Sequence, residues 1–207
     1  MENKTQYLED ISQIRSMMER SSRFISLSGL SGVFAGIYAL GGAFVAHQII
    51  NNEMGTSYQI KFLNLSSGRL EQLVIIALAV LTMALGTGII FTTRKARKDG
   101  LKIWDKTAKL LIINLLIPLI TGGLLCLIFL HHGLLGIVAP STLIFYGLAL
   151  INASKYTFTD IRYLGFAEII LGLISAYYAG FGLYFWAVGF GILHILYGTL
   201  MYFKYER

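Results

Sequence analysis

Residues 94–109 read R-K-A-R-K-D-G-L-K-I-W-D-K-T-A-K and hold seven of the chain's 17 Lys and Arg residues. Apolar runs long enough to cross a bilayer stand on both sides of them. Moving so many cations through a membrane is costly, so basic loops between spans stay cytoplasmic. With Arg94–Lys109 fixed inside, the side of every other segment follows by counting spans.

Composition places the chain firmly in the membrane class. Of its 207 residues 56% are hydrophobic and 14% charged, against about 25% charged in ordinary soluble domains. No polar stretch is long enough to build a soluble domain beside the apolar runs. The net charge of +6 does not point to nucleic acid, because the basic residues cluster at membrane edges. Anionic lipids at the inner loop Arg94–Lys109 account for them better. The one cysteine, Cys126, lies inside an apolar run, which excludes disulfide frameworks, CxxC motifs and cysteine-based zinc sites within one chain. No cleavable signal peptide is expected, since the first apolar run follows a segment bearing Glu2, Glu9, Asp10 and Glu19.

The expected fold is all-α: one bundle of six transmembrane helices at residues 24–207, preceded by a short amphipathic helix within residues 1–23. Tyr7, Ile11, Ile14 and Met18 recur at helical spacing and form its apolar face. The spans are read at about 24–50, 73–91, 110–130, 134–151, 163–178 and 183–203. Turns are expected at Asp99-Gly100, His131-His132-Gly133 and Ala179–Gly182. Residues 101–109 are read as a helical lead into the third span, and Pro118 and Pro140 fall inside spans three and four. On this reading 15 Lys and Arg lie inside and only Lys61 and Arg69 outside, so both termini are cytoplasmic. A bacterial inner (plasma) membrane is the natural setting.

Gly29, Gly32, Gly36, Ala39, Ala43 and Ala46 repeat at spacings of three and four along the first span. Small residues let two helix backbones approach closely in lipid. The seam therefore serves either packing within the chain or a homodimer through Gly29, Gly32, Gly36, Ala39 and Ala43.

Glu168 is the residue most in need of an explanation. It lies about six residues into the fifth span, roughly 9 Å from the inner boundary at 1.5 Å per residue, where an acid must be paired, protonated or hydrated. It shares a helical face with Gly165, Gly172, Ser175 and Ala179. In the sixth span Ala187, Gly191, His194, Gly198 and Met201 form a matching face. In a hairpin turning near Gly180–Phe181, His194 comes level with Glu168. A Glu168–His194 contact is thus predicted from depth and from face, with Ser175 and Asn114 as further polar candidates for ligand binding or proton titration.

Three readings of function follow. The leading one is a non-enzymatic binder, sensor or accessory subunit for a small hydrophobic or amphipathic ligand, or a partner, held within the bundle. The second is a small transporter or channel that uses the Glu168–His194 pair. The third is a haem or metal redox protein built on His47, His131 and His132, which share an outer depth. No cofactor is expected under the first two. Enzyme chemistry is not supported, because no phosphate-binding loop, dinucleotide fingerprint or nucleophile triad spacing is present.

Overall fold

The computed structural model describes residues 27–52, 57–58, 65–100 and 103–207. The amphipathic helix expected at Tyr7–Met18, the first residues of span one and most of the loop after it lie outside the described residues. The described elements are all helical. They are α1 (Gly29–Asn51), α2 (Ser67–Lys98), α3 (Lys106–His131), α4 (Leu135–Ala153), α5 (Asp160–Tyr177) and α6 (Gly182–Tyr205). A short 3₁₀ turn, Ser154–Tyr156, follows α4.

Five of these helices are long and apolar enough to cross a membrane. The exception is α5, whose 18 residues include Asp160, Arg162 and Glu168. The surface of α2 and α3 suits a lipid surround. Ile75, Leu78, Leu85 and Ile89 of α2 are exposed, as are Ile117, Ile120, Leu124 and Leu127 of α3.

The helix ends carry the expected turn chemistry. Gly100, Gly133 and Gly180 all adopt positive φ, at the three turns read from the sequence, where a side chain would be strained. The largest departure is α2, which starts before Glu71 and runs on through Lys98 into the basic loop. Lys95, Arg97 and Lys98 fill its last turn, where cations complement the helix dipole. The helical lead into the third span is also shorter than residues 101–109. Asp105 caps α3 by accepting from the Ala108 N–H at 2.7 Å, so the helix begins at Lys106. Helices α3 and α4 run through Pro118 and Pro140.

The helices pack as two groups. Helix α1 packs on α2 and α6, while α4 packs on α3 and α5. The groups meet where the start of α6, Gly182–Trp186, lies against α4 and where its length follows α5. The main apolar cluster sits at this junction, formed by Leu150, Ile161, Leu164 and Met201 with Phe158. Glycine makes both close crossings. A Cβ on Gly147 of α4 would stand 2.5 Å from the Gly165 carbonyl of α5, and one on Gly165 would stand 2.7 Å from the Gly147 carbonyl. On the other side, a Cβ on Gly36 would meet the Gly191 carbonyl at 2.6 Å, and one on Gly198 would meet the Gly29 carbonyl at 2.7 Å. The glycine part of the α1 seam, Gly29, Gly32 and Gly36, is thus filled by α6 of the same chain.

Candidate functional site

The site lies where α5, α4 and α6 meet, at the junction of the two groups. Leu164, Gly165, Glu168, Gly172 and Ser175 form the buried face of α5, with the helical spacing read from the sequence. Glycines above and below Glu168 let α4 come close, and the acid is carried inward with them. It is wholly buried.

Across the junction stands His194, 7% exposed. Its Nδ1 lies 3.5 Å from Glu168 Oε1, so the structure brings the predicted pair together. The distance is within ion-pair reach and longer than a good hydrogen bond. The same Nδ1 is 2.9 Å from the Gly189 carbonyl oxygen. A carbonyl only accepts, so Nδ1 carries a proton and donates it there. On the opposite edge Nε2 is 2.7 Å from the Tyr146 hydroxyl of α4. In the neutral imidazole Nε2 accepts from Tyr146; in the imidazolium it donates to it. The ring is also flanked by Tyr146, with centroids 5.3 Å apart, and by Phe190 at 5.8 Å. Every ring atom able to hydrogen-bond is therefore held.

The local winding of α6 makes this arrangement. Residues Ala187–Leu193 form a π-helical segment, a form that accumulates at functional sites. His194 follows Gly189 by five residues, the spacing of a π turn, and closes back on its carbonyl. Gly189 is also where the carboxyl of Glu168 rests. A Cβ there would stand 2.5 Å from both Glu168 Oε2 and Leu143 Cδ2. The carboxyl is thus packed directly onto backbone.

What Glu168 lacks is a hydrogen bond. Neither of its oxygens has a hydrogen-bond partner among the described residues, and the buried Ser175 hydroxyl also has none. A carboxylate in that state would be very expensive in a low-dielectric interior. One proton resolves the problem in either of two ways. It sits on Glu168, leaving a neutral pair, or on His194, making an ion pair across 3.5 Å. Both arrangements fit the same heavy-atom positions.

The other sequence candidates fall elsewhere. Ser175 shares the Glu168 face but stands two turns away along α5. Asn114 donates to the Leu110 carbonyl of its own helix at 2.8 Å, and α3 packs on α4 rather than on α6. His47 pairs with Asn51 at 2.9 Å and stacks on Tyr58, with centroids 5.1 Å apart. His131 and His132 end α3 and contact each other, with centroids 5.3 Å apart. Among the described residues no three His, Cys, Asp or Glu side chains gather as a metal-ion set. The outer histidines are therefore not brought together as one ligand group.

Two members of the site were not singled out in the sequence: Tyr146 and Gly189. Tyr146 had a signal, being a hydroxyl in mid-span that must find a partner. Gly189 had little, because it acts through a π turn that the apolar pattern does not encode.

Two polar ties stand at the basic end of the bundle, and the first of them crosses the junction. Lys204 Nζ and the Tyr205 hydroxyl of α6 donate to Asp160 of α5 at 2.8 and 2.6 Å. Burial alone would push the Asp160 carboxyl up. The hydrogen bonds from Lys204 and Tyr205, with the charge of Lys204, outweigh it and hold the acid below its ordinary range. In the second tie, Glu206 accepts from the Ser28 hydroxyl at 3.2 Å and from the Gly29 N–H. It also lies 3.5 Å from Lys95 Nζ.

Comparison of the chain with protein families, with curated proteins and with solved structures returns no match. The functional reading rests on the site.

Proposed function

We propose that this chain is a six-span inner-membrane protein with both termini cytoplasmic, and that it works as a small proton-linked transporter. In this reading the Glu168–His194 pair takes up and releases a proton, and its state sets how firmly the two helix groups hold each other. The observation that carries it is a wholly buried carboxyl with no hydrogen-bond partner among the described residues, 3.5 Å from an imidazole, at the seam between the groups. Intramembrane acids and histidines that face a bundle interior recur in proton relays and ion pathways.

The packing favours a proton over a ligand as the species that the pair handles. Glu168 lies against Gly189 so closely that one added methyl would not fit, whereas a proton needs no volume. A ligand-binding role at this pair has no such support. The bias of 15 inner against two outer Lys and Arg supports the topology, and the buried face of α5 supports its count as the sixth span despite its charges.

The test reads the distance between the groups against pH. With Cys126→Ser removing the native thiol, spin labels at Gln48→Cys on α1 and His131→Cys on α3 report on opposite groups in a reconstituted bilayer. Both positions are exposed. A separation that shifts with pH in this background and stays fixed when Glu168→Gln is added is the expected result. A separation indifferent to pH would overturn the proposal.

A further inference from the structure

At the basic end of the bundle the ends of α1, α2 and α6 line a half-open cavity of about 330 Å³. Phe91, Arg94, Lys95 and Lys98 line it from α2. Their spacings of three, one and three put them on one helical face. The wall changes along that face: Phe91 and, from α1, Leu30 are apolar, and the three cations follow one turn nearer the loop.

The three cations are not equivalent. Lys95 is committed, donating to the Leu27 carbonyl at 2.9 Å and standing 3.5 Å from Glu206. Glu206 is committed in turn to Ser28, Gly29 and Lys95. Arg94 and Lys98 are exposed and have no ion pair or hydrogen bond with any described residue. Asp99 is the one remaining acid in the cavity wall. Two uncommitted cations therefore face one acid across a space with room for roughly ten waters, at about 30 Å³ each.

We infer that this cavity is a binding site for a phosphate ester of net negative charge, held by Arg94 and Lys98. A guanidinium fork and a mobile ammonium are the pair that phosphate oxygens favour. Tyr202 lines the same space, and its hydroxyl is able to donate to ester or headgroup oxygens. The apolar strip of Phe91 and Leu30 beside the cations fits the start of an acyl chain. An anionic phospholipid headgroup and a soluble phosphate share the chemistry, and the experiment separates them. The site is remote from Glu168 and independent of the transport reading.

The experiment is native mass spectrometry of the full chain in detergent, titrated with phosphatidylglycerol or phosphatidylcholine, with inorganic phosphate as competitor. Phosphatidylglycerol binds one molecule preferentially, and Arg94→Gln with Lys98→Gln weakens that binding by roughly tenfold or more. The control pair Lys106→Gln with Lys109→Gln, also exposed and basic but outside the cavity, changes it by no more than about twofold. Lys98→Gln alone, expected to lose roughly threefold, serves if the double variant proves unstable. Displacement by inorganic phosphate identifies the phosphate group itself as what is recognised. Retention of phosphatidylglycerol against phosphate identifies the lipid as a whole, and both outcomes uphold the site. Equal binding of the two lipids overturns it, as does equal loss in the two double variants.

Discussion

At the scale of single residues, the Glu168–His194 pair was legible because two independent sequence signals agree on it. Hairpin depth placed the two level, and the small-residue spacing placed both on inward faces. The rest of the cluster was not legible in the same way. Tyr146 joins from a helix that is remote in sequence, and Gly189 acts by lacking a side chain. Its role is nonetheless testable. Gly189→Ala drives a methyl into Glu168 and Leu143, and overpacking of this kind costs about 1–3 kcal/mol. A clear fall in the melting temperature in detergent is expected, larger than that of Glu168→Gln. The pair itself predicts energetic coupling. Glu168→Gln and His194→Gln, singly and together, should be non-additive by about 0.5 kcal/mol or more. Strict additivity in chemical unfolding would mean that the two groups do not interact.

Among the elements, hydropathy located five helices long and apolar enough to span but misjudged where helices end. The apolar pattern of α2 stops near Phe91, yet the helix continues through Lys98 because Lys and Arg are good helix formers and suit a helix C-terminus. Hydropathy also cannot show a π turn, since the wider winding in Ala187–Leu193 leaves composition unchanged. The small-residue seam of α1 was visible as a seam, but its partner was not. The structure gives it to α6, and pairs α4 with α5 through Gly147 and Gly165. Those crossings predict a contrast between glycines. Gly147→Ala and Gly165→Ala should each cost about 1–3 kcal/mol, because the added methyl meets backbone. Gly41→Ala and Gly86→Ala, which meet nothing within 4 Å, should be neutral or slightly stabilising. Melting temperatures of the four variants side by side would check this. Equal losses at all four would remove the close crossings from the account.

For the whole molecule, two helix groups share a junction that holds an apolar cluster, the buried pair and the Asp160 tie. The grouping was not legible in the sequence, because lipid-facing and protein-facing apolar residues look alike. The Asp160 tie has a definite pH signature. Its folded carboxyl titrates below the ordinary value of 3.8, so the stability it adds is fully present above that value. It is lost as pH falls through the lower, folded value. Asp160→Asn should therefore lower the melting temperature by a constant amount between about pH 5 and 8, with the difference closing only in stronger acid. The tie is largely exposed, so solvent screening keeps its contribution small. A pH response near neutrality does not come from this tie; the transport proposal assigns it to the buried pair.

Infrared difference spectroscopy of the reconstituted protein tests that assignment most directly, because a protonated buried carboxyl has its own carbonyl stretch. The account predicts such a band that titrates with pH, vanishes in Glu168→Gln and shifts its midpoint in His194→Gln. A spectrum with no titrating carboxyl band assignable to Glu168, or a midpoint indifferent to His194, would contradict it.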